Sequence, residues 1–103
     1  MDTDFIRKRL TQLRIEKGVS EYQMSLDMGH SRSYIQSITS GKALPSMAEF
    51  LYICEYLGVT PSAFFDEKLE HPALLQKAMD EMSTLSDKDV LTLLSLMERF
   101  KEK

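Results

Sequence analysis

The stretch that decides the fold is Ser20-Glu21-Tyr22-Gln23-Met24-Ser25-Leu26-Asp27-Met28-Gly29-His30-Ser31-Arg32-Ser33-Tyr34-Ile35-Gln36-Ser37-Ile38-Thr39-Ser40-Gly41. Ser20 is placed to cap a helix, Gln23 stands three residues on, and Val19 and Met24 flank the pair as a hydrophobic staple. Gly29 ends that helix, and Ser31 offers the next cap only two residues later. A second short helix is predicted from about Arg32 to Ser40, stopping at Gly41. Two short capped helices joined by a turn containing glycine cross steeply, and the second then projects from its neighbours. Ile35 and Ile38 lock the second helix inward beside Met24 and Met28, and the small Ser25 lets the two backbones approach. At roughly 100° per residue, Ser33, Gln36, Ser37 and Ser40 then point outward, with Arg32 and Tyr34 on the flanks.

Such a polar, small-residue face fits a major groove about 12 Å wide, where Arg bonds guanine and Gln bonds adenine in bidentate fashion. Outward from the pair, Ile6, Leu10 and Leu13 form the stripe of a first helix that stops at Gly18. Ser46 and Glu49 open a fourth helix carrying Met47, Phe50, Ile53, Cys54 and Leu57 to Gly58. Thr60-Pro61 begins a short fifth through Phe64 and Phe65. Beyond Asp66, a charged stretch and His71-Pro72 read as a hinge. Leu74 to Met82 is one further helical stretch, and Ser86 caps a last one with a Leu85/Val90 staple. No segment alternates as a strand does, so the fold class is all-α.

The run from Ile6 to Phe65 resembles the lambda-repressor/Cro-type (Xre) helix-turn-helix family. The resemblance is carried by Arg14-Ile15-Glu16-Lys17-Gly18, Met24, Ser25, Met28, Gly29, Ser31-Arg32-Ser33, Ile35, Ile38, Gly41-Lys42, Pro45-Ser46 and Leu57-Gly58-Val59-Thr60-Pro61. It implies a five-helix DNA-binding bundle over residues 1–66, followed by a helical extension over 67–103. It also implies sequence-specific binding of double-stranded DNA through the third helix, and transcriptional control. On that pattern Arg32, Ser33, Gln36 and Ser37 fall where base edges are read. Ser40, Lys42 and the N–H groups opening helix two, at Ser20 and Glu21, fall at phosphate with Arg14 alongside. Three positions depart from the pattern. Glu21 replaces a common Gln, and a carboxylate there would repel a nearby phosphate unless it turns to the helix N-terminus or pairs with a base such as Arg32. Thr39 stands where a Glu often pairs with the helix-one Arg, which leaves Arg14 freer. His30 occupies a usually apolar turn position.

The bulk numbers set limits around that reading. At 103 residues, 43% hydrophobic and 28% charged, the chain has the composition of one soluble domain. The net charge is −3, whereas duplex binders usually carry a basic excess. Residues 1–66 hold seven Lys/Arg against eight Asp/Glu, and residues 67–103 six against eight, so any DNA-facing surface is made by local clustering. Arg7-Lys8-Arg9 reads as a wetted face of helix one in preference to a phosphate patch. Cys54 is alone and reads as core; with no disulfide, leader or membrane span expected, the chain is placed in the cytoplasm. His30 and His71 read as structural or surface residues, and no metal, cofactor, small-molecule ligand or enzymatic site is expected.

The last helix carries Val90, Leu93, Leu94, Met97 and Phe100 on one stripe, with Leu91 and Leu96 on further faces. That is more apolar surface than docking on one side of a small bundle uses, and a second copy of the chain is the expected cover. A two-fold dimer would offer two reading helices to a palindromic site, and a repressor is the expected outcome. Two alternatives stand beside it. The tail's faces could be satisfied within one chain, or the fold could serve as a protein-interaction module, an antirepressor or adaptor without strong duplex affinity.

Overall fold

The computed structural model describes residues 1–102. Seven helices are present among them and no strand: α1 (Thr3–Lys17), α2 (Glu21–Asp27), α3 (Tyr34–Thr39), α4 (Met47–Leu57), α5 (Pro61–Phe64), α6 (Pro72–Met82) and α7 (Asp87–Lys101). Four of the caps fall where the sequence puts them. The hydroxyls of Ser20, Ser46, Thr60 and Ser86 accept from the N–H three residues on, in Gln23, Glu49, Ala63 and Asp89. Gly18 closes α1 with φ near +80°, its N–H bonded to the carbonyls of Arg14 and Ile15, a backbone state that an L side chain resists.

Helices α1 to α5 enclose one core. Leu10, Leu13, Met24, Ile35, Ile38, Ile53, Cys54 and Phe64 are almost wholly withdrawn from water, and Ile6 and Val19 pack against them. Phe50 meets Phe64 edge to face at 5.0 Å between ring centres, which seats α5 on α4. Cys54 is core as read, and burial lifts its thiol to about 11, so it is no nucleophile at neutral pH. Asp27, at the end of α2, receives the Tyr56 hydroxyl at 2.7 Å and the Gln23 amide at 2.6 Å. These bonds, the Tyr56 one foremost, hold its carboxyl below the ordinary value.

Two features differ from the sequence reading. Helix three begins at Tyr34, not Arg32: Ser31 to Ser33 form a turn in which the Tyr34 N–H bonds the Ser31 carbonyl at 3.0 Å, and Ser33 holds the cap position without a side-chain bond. The stretch after Asp66 is no free hinge. Arg9, 5% exposed, sends its guanidinium to the carbonyls of Asp66 at 2.6 Å and Leu69 at 2.8 Å. Gln12 donates to the Glu70 carbonyl. Arg9 is therefore a buried clamp instead of a wetted charge, and it lies 5.1 Å from the centre of the Phe5 ring.

The tail is a projecting pair of helices. Only Pro72 of α6 and none of α7 is fully buried. The radius of gyration is 16.6 Å and the long axis 48 Å, against about 13 Å expected for a compact chain of this length. No described helix is long and apolar enough to cross a membrane.

Candidate nucleic-acid interface

The reading surface is built on the junction of α2 and α3, and one hydroxyl holds that junction together. Ser25 is fully buried; its Oγ donates to the Glu21 carbonyl at 2.7 Å and accepts the Ile35 N–H at 3.0 Å. The first satisfies the donor, and the second gives a buried N–H at the start of α3 the partner it would otherwise lack. Ser25 thus pins the helix that projects, beyond merely letting it come close. Gly29, with φ near +77°, turns the chain between them, and the His30 N–H closes back on the Ser25 carbonyl at 2.9 Å.

Four further contacts fix the orientation of α3. Ile35 and Ile38 face the core with 0% and 1% exposure. Arg7 on α1 donates from Nε to the Ile38 carbonyl at 3.0 Å, satisfying an acceptor in the last turn of α3. The His30 ring stacks on Tyr34 at 3.7 Å between centres, and its Nε2 lies 2.7 Å from a Glu49 carboxylate oxygen, tying the turn to α4. Burial, and then the Glu49 charge, push the Tyr34 hydroxyl above its usual value. Glu21, at the start of α2, accepts a hydrogen bond from the Thr39 hydroxyl near the end of α3. Two of the three departures from the family pattern therefore meet each other, and Glu21 turns to Thr39 rather than to the helix N-terminus or Arg32.

The residues expected to face DNA are disposed as follows. Arg32, Ser33 and Gln36 are exposed, Arg32 and Ser33 on the turn that leads into α3 and Gln36 on α3 itself. Ser37 is half-buried, and its hydroxyl donates to the Tyr34 carbonyl at 2.5 Å. Ser20, Ser40 and Lys42 are exposed and Glu21 is half-buried. The side chains of Arg32, Gln36 and Lys42 form no hydrogen bond or ion pair with any described residue. Arg14 stands apart from this group: it is half-buried and donates from Nη1 to the Val19 carbonyl at 2.8 Å, bracing the α1–α2 turn.

Local pattern carries no sign of Ser25 as an acceptor, of the Glu21–Thr39 contact or of the Arg7 bond to α3. The only advance signal was for Arg7 and Arg9, which sit on the flanks of the Ile6, Leu10 and Leu13 stripe and not opposite it. Among the described residues no group of His, Cys, Asp and Glu is arranged to hold a metal ion.

An all-helical head with two short helices crossing at a glycine turn, and a polar, partly cationic outer face, defines a helix-turn-helix DNA-binding regulator. A family model described as a helix-turn-helix domain matches residues 8–70, more than half of the chain, and the protein belongs to that family, in keeping with the Xre type. No curated protein and no solved structure matches it.

Proposed function

We propose that the protein is a sequence-specific transcriptional repressor that binds double-stranded DNA as a homodimer on a palindromic operator. The observation that carries this reading is the contrast between the inner side of α3 and the outer surface that α3 and its flanking turns present. Its inner side is fixed by Ser25, Arg7 and two buried isoleucines, while Arg32, Gln36 and Lys42 are exposed and uncommitted. A site that must recognise a partner keeps its donors unpaired and its backbone rigid, because side-chain and loop ordering then cost little on binding.

In this reading Arg32, Ser33, Gln36 and Ser37 face base edges. Lys42 and Ser40 contact phosphate, as do the N–H groups at Ser20 and Glu21, with Arg14 alongside. The Thr39 hydroxyl on the Glu21 carboxylate softens the repulsion that acid would otherwise offer a phosphate. Each protomer lays α3 in a major groove, half-sites lie about 34–36 Å apart, and the bound dimer occludes polymerase. Dimer contacts fall to the tail, at Val90, Leu93, Leu94, Met97 and Phe100. Of these, Leu94 and Met97 are each 48% exposed although strongly apolar.

The net charge of −3 favours a second reading, a protein-interaction module on the same fold. Selection of bound duplexes from a random pool separates the two. A repressor returns an enriched palindrome with two half-sites, and an adaptor returns no enriched sequence.

A further inference from the structure

Helix α7 is apolar over more of its circumference than α6 covers. Leu93, Leu96, Met97 and Phe100 of α7 share with Met79 and Met82 of α6 an open groove of about 430 Å³. At about 100° per residue, Val90 and Leu94 lie roughly 60° and 100° round the helix from Leu93, on the flank of that groove, and Met97 stands at its edge. Along that flank Asp87, Val90, Leu94, Met97 and Lys101 follow one another at alternating intervals of three and four residues, the spacing of a coiled-coil seam, with Met97 shared between seam and groove. The seam has a centre. Leu94 is equidistant from Asp87 and Lys101, and Val90 and Met97 flank it.

We propose that this ridge is the seat of a second copy of the chain, with its α7 running antiparallel; the proposal rests on the dimer reading above and specifies its geometry. Antiparallel pairing sets Leu94 against the partner's Leu94 on the two-fold axis and Val90 against the partner's Met97. At each end, Asp87 meets the partner's Lys101. Parallel pairing would instead set Asp87 against the partner's Asp87 and Lys101 against the partner's Lys101, two like-charge contacts. Charge order along the helix thus selects both the occupant and its direction. Lys101 now lies 3.2 Å from Glu98 in a pair whose side chains are 70% and 69% exposed, a contact of little worth that a partner's carboxylate readily displaces. Leu93 and Phe100, both lining the groove with α6, support the hairpin in this arrangement instead of the seam. A ridge of fifteen residues covers less than the roughly 800 Å² per partner of a standard interface. The free dimer is therefore expected to dissociate at micromolar concentration.

Two experiments on the full chain test this. Asp87→Cys and Lys101→Cys proteins are oxidised separately and as a mixture, with the native Cys54 left in place because it is 1% exposed. A disulfide-linked dimer is expected in the mixture alone, since antiparallel helices place equivalent ends about 21 Å apart along the axis. In sedimentation, Asp87→Lys and Lys101→Asp are each expected to weaken the dimer roughly tenfold, and the doubly swapped protein to recover to within about twofold of the original. Self-linking of either single variant, or a double swap no tighter than the singles, overturns the antiparallel seam while leaving a dimer. An unmodified chain that stays monomeric at the highest concentration overturns the dimer reading itself.

Discussion

Replacing Ser25 with alanine removes one oxygen, and the structure says which groups feel it. The Glu21 carbonyl loses only a side-chain donor, at 2.7 Å. The Ile35 N–H loses its partner at 3.0 Å inside a fully buried site, where water cannot take the place of the hydroxyl. A buried donor left unsatisfied costs about 1–3 kcal/mol, while the alanine methyl fits without a new clash. The expected loss of unfolding free energy is therefore about 1–3 kcal/mol, which corresponds to a fall in melting temperature of roughly 4–8 °C per kcal/mol for a domain near this size. Urea denaturation is the assay, with an unchanged slope required so that the difference reports stability. Ser37→Ala serves as the control, because its hydroxyl bonds a carbonyl in its own turn, and a change within about 0.5 kcal/mol is expected there. If Ser25→Ala were as mild as Ser37→Ala, the claim that this hydroxyl pins the reading helix would be wrong.

Four other outcomes follow from the same contacts. Arg32→Ala should weaken operator binding by about 1–3 kcal/mol and relax preference at one base position; equal losses on every sequence would assign Arg32 to phosphate. Arg9→Met, which keeps the buried stem but abandons the carbonyls of Asp66 and Leu69, should speed hydrogen exchange over residues 66–71 while the amides of α2 and α3 keep their protection. Leu94→Asp should give a monomer by sedimentation at concentrations where the unmodified chain is dimeric. Tyr56→Phe removes the main bond that lowers the Asp27 carboxyl. A carboxyl depressed in the folded state adds stability above its unfolded value and loses it as pH falls, so this variant should show a shallower loss of stability below about pH 4, read by acid titration alongside the NMR shift of Asp27.

The parts of the molecule that were legible in the sequence are those governed by neighbours a few residues away. Caps at Ser20, Ser46, Thr60 and Ser86 depend on an N–H three positions on, and the α1 stripe on a fixed turn angle. The start of α3 was misplaced for the opposite reason. Ser31 looks like a cap, but its backbone carbonyl takes the Tyr34 N–H in a turn, and the Ile35 N–H in the first turn of α3 is held by a hydroxyl ten residues earlier, a partner no periodicity announces. Arg9 was read as solvated because it lies in a charged run, yet its acceptors are backbone carbonyls 57 and 60 residues away. Glu21 and Thr39 were each judged singly, and only the crossing of two helices brings them together. The angle opposite Ile35 and Ile38 places Gln36 outward and Arg32 on the flank, the family pattern supplies Lys42, and all three are exposed.

The central claim, that the outer side of α3 grips a duplex, is tested most directly by measuring affinity for a selected duplex as salt is raised. Binding through Lys42, Arg32 and the N–H groups of α2 predicts that log affinity falls linearly with log salt, by about 0.9 for each phosphate neutralised. It also predicts that Lys42→Ala reduces the slope by about one. Absence of duplex retention even in dilute buffer would contradict the account.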